Sequence, residues 1–160
     1  MIRPALLSDA EAITRIYNHY IENTIITFEE QAISADDMRQ RIEDVTASLP
    51  WFVLLSSNQV IGYSYASRWK SRCAFRYSVE STVYLDLHQF GKGFGRQLYD
   101  RLLTELRARS IHSVVAGIAL PNDASIALHE KCGFVKVAHF KEVGWKFNRW
   151  IDVGYWEIIL

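Results

Sequence analysis

A β-branched and apolar run, Ser81-Thr-Val-Tyr-Leu-Asp-Leu87, leads through His88-Gln-Phe90 into alternating glycines at 91, 93 and 95, then straight into an amphipathic segment. No other feature constrains the chain as much. Leu98, Leu102, Leu103 and Leu106 recur at helical spacing, which predicts a long helix over Gly93 to Arg109. A strand that turns through glycines into a helix offers unpaired backbone N–H groups and the positive end of a helix dipole, and glycine lets the backbone approach an anion closely. Lys92 and Arg96 add full positive charges at the same place. A diphosphate is the natural guest. The bland alternative is a tight turn with a packing glycine, for which three glycines and two cations are unusual.

Two common diphosphate binders are excluded by spacing. No Lys-Ser or Lys-Thr follows the last glycine of a GxxxxGK pattern, so the loop is not a nucleoside-triphosphate P-loop. The spacing is GxGxG with a single strand-helix-strand crossover, which does not fit the dinucleotide fingerprint with its paired βαβ halves.

The rest of the chain organises around this unit. Ile2 to Leu7 reads as a first strand, and Ser8-Asp9-Ala10-Glu11 has capping-box spacing, with Ser8 as the expected cap. Ile13, Ile16, Tyr17 and Tyr20 predict a helix to about Ile21, and Ser34 opens a second that ends before Pro50. Trp51 to Leu55, Val60 to Ser67 and Tyr77 to Leu87 read as strands, the first two joined as a hairpin near Asn58 and Gly62. Ser113 to Leu120 is a buried strand. A short helix opens at Asp123 or Ser125 and stops at Gly133, followed by strands near Val135 to Glu142 and Asp152 to Ile159. The order βααβββαβαββ predicts one α/β (α+β) domain over residues 1–160, with a mixed, mostly antiparallel central sheet flanked by helices.

Composition narrows the function classes. Lysine and arginine total 18 and so do aspartate and glutamate; this zero net charge argues against a sequence-independent nucleic-acid binder. The longest apolar stretch, Val114 to Leu120, is far too short to span a bilayer, and the N-terminus has no basic and apolar leader pattern. Cys73 and Cys132 show no CxxC spacing and no nearby histidine pair, so they are expected to be reduced, partly buried thiols rather than metal ligands. The expectation is a cytoplasmic protein with no metal, no membrane and no nucleic acid among its partners.

The run GKGFGRQLYDRLL resembles the acetyl-CoA pyrophosphate loop of the GNAT superfamily, written Q/R-x-x-G-x-G/A. Gly93 and Gly95 take its last two small positions, while Phe90 stands where Gln or Arg is usual and Gln89 is one residue out of register. Leu120-Pro-Asn-Asp-Ala-Ser-Ile-Ala-Leu-His-Glu-Lys-Cys-Gly-Phe134 resembles a second GNAT pattern, with Asn122 at the position that meets the pantetheine arm and His129 where many relatives carry tyrosine. From Ile2 almost to Leu160 the chain is similar to the branch of phosphinothricin and methionine sulfoximine/sulfone acetyltransferases, through Tyr17-Asn-His-Tyr20, Pro50-Trp51, Trp69-Lys70, Val79-Glu-Ser-Thr-Val-Tyr84, Leu120-Pro-Asn-Asp123, Leu128-His-Glu130 and Trp150-Ile-Asp-Val-Gly154.

The resemblance implies acetyl-CoA as co-substrate, held by Val83, Tyr84, Leu85, Phe90, Gly91, Lys92, Gly93, Phe94, Gly95, Arg96, Asn122 and Ser125. It implies acetylation of the α-amine of a small amino-acid analogue, and a homodimer with the C-terminal part near the partner's site. The amine must lose a proton before attack. Glu80 is the candidate base, since a carboxylate on a central strand is costly unless used or paired. A salt-bridged structural glutamate is its alternative. Backbone N–H groups near Val83 to Leu85 are candidates to stabilise the developing oxyanion. His129 is the candidate donor to the departing thiolate, although a lone helical histidine is more often a packing residue.

Lys70, Arg72 and Arg76 are candidates for the substrate's anionic groups, against a solvated charged loop; Phe28 and Phe75 are candidates for its apolar part, against ordinary core. Trp145, Trp150 and Trp156 suggest an aromatic subunit contact in the tail. Acetylation of a protein N-terminus, a polyamine or another amine metabolite is the rival enzymatic reading. A non-catalytic acetyl-CoA-binding regulator is the rival of another class.

Overall fold

Strands β2 (Trp51–Ser56) and β3 (Gln59–Arg68) are apolar on both faces, because helices cover both sides of the sheet they build. The computed structural model describes residues 1–160. Its seven strands run in the order β1-β2-β3-β4-β5-β7-β6, with β1 at Ile2–Pro4, β4 at Ser78–Leu85, β5 at Ser113–Leu120, β6 at Val135–Lys146 and β7 at Arg149–Ile159. Every neighbouring pair is antiparallel except β4 and β5, joined by helix α3 (Phe94–Ala108). Helices α1 (Ala10–Asn23), α2 (Ala35–Thr46) and α4 (Asp123–Lys131) complete the βααβββαβαββ order expected from the sequence.

The core divides by strand alternation. On one face Phe52, Leu54, Val79, Val114, Ala116, Ile118 and Trp156 pack with Leu98, Leu102 and Leu106 of α3. On the other, Trp51, Val53 and Tyr63 pack with Ile13 and Ile16 of α1 and Met38 and Ile42 of α2. The apolar periodicity of α3 therefore points at one layer and that of α1 and α2 at the other.

The β4–β5 ladder breaks early. Registered pairs are limited to Ser78 with Ser113, Val79 with Val114 and Glu80 with Val115, although both strands continue for five more residues. Beyond Glu80 a wedge opens between them. Its floor is bridged by Ser81, whose hydroxyl lies 3.4 Å from the Val115 carbonyl and 3.2 Å from the Tyr99 hydroxyl.

Several local expectations are corrected. Ser8 is exposed and does not cap α1; a 3-10 turn over Leu7–Asp9 precedes the helix. Asp9 organises this corner by accepting from the Leu6 amide at 2.8 Å and from both Arg3 guanidinium nitrogens at 2.7 and 2.8 Å, and charge-assisted bonds outweigh a serine cap. Ser34 caps α2 as expected, with Asp37 completing a capping box. The last hairpin is longer at its closed end than the sequence suggested. It closes through Phe147 and Asn148, both with positive φ, and β6 bulges between Phe140 and Gly144. The Asp152 carboxylate holds that bulge by accepting from the Glu142 amide and His139 Nε2. Cys73 is exposed rather than partly buried, since it begins a surface 3-10 turn; both cysteines are free thiols. Trp156 belongs to the core, whereas Trp145 and Trp150 lie outside and meet edge to face.

Burial opposes the charge on Asp9, but the Arg3 pair and the Leu6 amide overcome it and hold the carboxyl below the usual carboxylate range. A lowered pKa adds stability that is present above the unfolded value of about 3.9 and is lost as pH falls through the folded one. Asp9→Asn is expected to cost about 1–3 kcal/mol at neutral pH. Urea titrations should show that difference shrinking below about pH 4.

Candidate active site

The three glycines do different work. Gly91 and Gly93 have φ of +75° and +77°, and nothing lies within 4 Å of where a Cβ would stand. Gly93 immediately precedes α3, so the loop bends left-handed and leaves the first amides of that helix open to an anion. Gly95 is a packing glycine: a Cβ there would sit 2.9 Å from Leu128 of α4, so its absence lets the two helices meet. Lys92 and Arg96 lie on the surface around this loop, Lys92 bonded to the His88 carbonyl and the Gln89 side chain, Arg96 facing Asp100 at 3.6 Å. Phe94 packs against the α3-side core.

From the loop an apolar channel of about 240 Å³ leads inward between Phe90, Val83, Leu85, Leu128, Tyr20 and Ile26. Phe90 is half exposed and forms one wall, so the residue that departs from the usual Gln or Arg adds apolar surface to this channel. Asn122 and Ser125 line both this channel and the cavity beyond it; the Asn122 side chain caps α4 by accepting from the Ser125 amide at 3.1 Å. The Asp86 amide donates to Ile61 of β3. Strand alternation therefore turns the amides of Val83 and Leu85 away from β3, into the wedge, while the Tyr84 side chain packs with Tyr17, Tyr20 and Tyr63 on the α1 side.

The channel opens into a cavity of about 550 Å³ that passes through the wedge and reaches both faces of the sheet. Glu80 lines it. Its carboxylate makes no hydrogen bond or ion pair, so it is not a salt-bridged structural glutamate. Gly117 opposite leaves room for it, since a Cβ there would lie 3.4 Å from Glu80 Oε1 and 3.2 Å from the Tyr155 ring. Burial raises the Glu80 pKa above the ordinary carboxylate value, while the charge of Lys70 works against that rise.

His129 lies on the other side of the wedge and is buried. Its Nδ1 is 2.7 Å from the Ser125 carbonyl, which only accepts, so Nδ1 carries the hydrogen and Nε2 is the acceptor. Nε2 accepts a hydrogen bond from the Tyr99 hydroxyl at 2.7 Å, and burial lowers the histidine pKa. His129 is thus a neutral group whose N–H is already committed. Tyr99 is fully buried, its pKa is raised by burial, and it lines the cavity between Ser81 and His129. Sequence reasoning missed Tyr99 because it sits among the leucines of the α3 core face. The available signal was its hydroxyl, which needs a partner when buried.

The α1 side of the cavity is built from parts that the sequence did not group. Tyr17, Thr27, Phe28, Tyr65, Val143, Gly144, Trp145 and Tyr155 line it. Phe28 is here rather than in the core, its ring filling the space a Gly144 side chain would take. The loop carrying it is held by Tyr17 to Thr27 at 2.8 Å, Lys146 to the Thr27 carbonyl at 2.7 Å and the Asn18 amide to both backbone groups of Ile33. Lys70, Arg72, Phe75 and Arg76 instead line a separate groove of about 360 Å³ with Arg68 and Arg109, at the far end of α3. The turn between β3 and β4 carries them away from the Glu80 side chain, although the Lys70 charge still acts on it. No group of three or more His, Cys, Asp or Glu side chains is arranged to hold a metal ion.

A glycine-bent helix start for a diphosphate, a narrow apolar channel for an extended arm and a wedge with turned-in amides fit acetyl-CoA in shape and chemistry. Residues 2–154 match the family model described as an acetyltransferase (GNAT) domain. The chain is 38% identical over 156 residues to the phosphinothricin N-acetyltransferase of Streptomyces viridochromogenes, covering 98% of this chain and 85% of that one. It is also 38% identical to the L-methionine sulfoximine/L-methionine sulfone acetyltransferase of Salmonella typhimurium, covering 99% and 94%. Among solved structures, a GNAT phosphinothricin acetyltransferase from Sinorhizobium meliloti in complex with acetyl-CoA superposes with a TM-score of 0.97 at 34% identity, covering 100% of this chain and 88% of that one. With a glycine-bent loop, channel and wedge continuous in one fold and the match running along nearly its whole length, the chain belongs to the GNAT family of acetyltransferases.

Proposed function

We propose that this enzyme acetylates the α-amine of small amino acids, with methionine sulfone, methionine sulfoximine and phosphinothricin as the compounds that define the class. The observation that carries the reading is the unpaired Glu80 carboxylate in a wedge reached from both faces of the sheet. Acetyl-CoA supplies an activated acetyl group as a thioester. The first amides of α3 and the Gly91–Gly93 bend hold its diphosphate, and the amides of Val83 and Leu85 orient the arm and stabilise negative charge on the carbonyl oxygen. Glu80 takes the proton from the acceptor ammonium, made basic enough by its burial. Tyr99, kept protonated by burial, turns its one hydroxyl hydrogen from His129 Nε2 to the departing sulfur, and the second proton lost by the attacking amine restores it. A polyamine acceptor is disfavoured because the cavity wall holds a single carboxylate.

The acting form is a homodimer in this reading, and its site is the cytoplasm, where acetyl-CoA is available. Support for the dimer comes from β6, an edge strand that exposes Val135, Val137, Phe140, Val143 and Trp145, with Trp150 beside them on β7. A long apolar edge of this kind is normally covered. No helix is long and apolar enough to cross a membrane.

Release of free CoA in the presence of each acceptor tests the reaction. Glu80→Gln is expected to lower kcat/KM by about 10²- to 10⁴-fold, with acetyl-CoA binding retained. The base works deprotonated, so kcat/KM should rise with pH through the raised Glu80 pKa. Lys70→Met removes the charge that lowers this pKa and should move the rising limb to higher pH. Val137→Glu combined with Trp150→Glu should convert the dimer to monomer in analytical ultracentrifugation, because two carboxylates would have to be buried without partners.

A further inference from the structure

Lys146, near the end of β6, is 2% exposed, and no other lysine or arginine of the chain is buried. It forms no ion pair; the charges of Glu30 and Glu29 act on it without pairing to it. Its ammonium donates to the Thr27 carbonyl at 2.7 Å and lies 5.1 Å from the centre of the Phe147 ring. Burying a lysine is costly, and an apolar chain of similar length would fill the same space without that cost. What the ammonium adds is a strong donor for one carbonyl. Thr27 is itself buried and is held from two sides, its hydroxyl by Tyr17 of α1 and its carbonyl by Lys146. The next residue, Phe28, lays its ring over Gly144, which shares a face of β6 with Lys146, two residues on. Strand β6 therefore grips two successive residues of the loop after α1.

We infer that Lys146 is a positioning residue for the acceptor, acting through Thr27 to hold Phe28 against β6 as a wall of the cavity beside Glu80. The inference rests on the amino-acid acetylation proposed above and assigns a residue that fixes where its acceptor sits. Lys146 does not line the cavity, whereas Thr27, Phe28, Val143, Gly144 and Trp145 do. Between the end of α1 at Asn23 and the Ser34 cap of α2 the chain forms neither helix nor strand, so tethers set its path. Tyr17, Asn18 and Arg41 tie it to the two helices, through Thr27, Ile33 and Glu29. The hydrogen bond from Lys146 is the tether that ties it to β6. It keeps two walls of the cavity, one from the loop and one from the strand, in fixed relation. The acetyl-CoA side depends on this tether far less, because that channel meets the loop at Ile26 and is otherwise formed by β4, α4, Tyr20 and Phe90.

The test is a double-mutant cycle of Lys146→Met and Phe28→Ala, read by steady-state kinetics with whichever of methionine sulfone, methionine sulfoximine and phosphinothricin the unaltered enzyme turns over fastest. Lys146→Met is expected to raise the acceptor KM by about tenfold or more, the scale of one lost charge-assisted hydrogen bond. It should lower kcat by about threefold at most and leave the acetyl-CoA Kd within about threefold, as befits a lost acceptor contact. In the Phe28→Ala background the same substitution should add less than about twofold to the acceptor KM, because two residues acting through one contact are not additive. An unchanged acceptor KM, an equal rise in both backgrounds, or a matching loss of acetyl-CoA affinity overturns the inference. Gly144→Ala displaces the Phe28 ring with Lys146 in place, and so tests the same wall if Lys146→Met does not fold. It should raise the acceptor KM with acetyl-CoA binding retained, and an unchanged KM overturns the inference. Each of these failures leaves the proposed reaction standing. Turnover of none of the three acceptors by the unaltered enzyme overturns both.

Discussion

The interrupted pairing of β4 and β5 is the constraint on which the rest of the molecule depends. Two parallel strands held together for three residues and then parted leave turned-in amides with no strand partner. In a folded protein such groups need an occupant or water. The only parallel pair in the sheet is also the pair connected by α3, so the wedge and the anion-binding helix start come from the same crossover. Ser81 and Tyr99 stitch the floor of the wedge to α3, and His129 ties Tyr99 to α4.

In the proposed reaction this arrangement separates the two substrates by face. The donor side consists of the glycine bend, the Phe90 channel and the α4 cap at Asn122. The acceptor side is assembled from the loop after α1, the bulged strand β6 and the inner face of β7. Alternation along β4 puts Glu80 toward the acceptor and Ser81 toward α3, so neighbouring residues serve opposite sides of one gap. The charge pattern follows the same division, with positive groups around the diphosphate loop and only Lys70 acting at Glu80.

Much of the framework was legible in the sequence because local periodicity and tertiary burial agree. The element order, the Ser34 cap, the buried strand Ser113–Leu120 and the left-handed Gly133 stop all follow from local rules. The left-handed glycines at 91 and 93 and the cost of burying Glu80 were legible for the same reason, whereas Asn122 stood out only through the family resemblance. What was hidden depends on contacts distant in sequence. Arg3 decides that Asp9, not Ser8, organises the start of α1. Asp152 holds a bulge in a neighbouring strand and so brings Val143 to Trp145 over the cavity. Tyr99 sits among core leucines, and Arg72 and Arg76, near Glu80 along the chain, are carried to a separate groove by the turn between strands.

The most direct measurement is a crystal structure of the protein with CoA bound. The account expects the diphosphate on the first amides of α3, the arm between Phe90 and Leu128, and the sulfur inside the β4–β5 wedge near Tyr99. A sulfur atom outside that wedge, or a diphosphate seated in the Arg68, Arg72 and Arg109 groove, would contradict it.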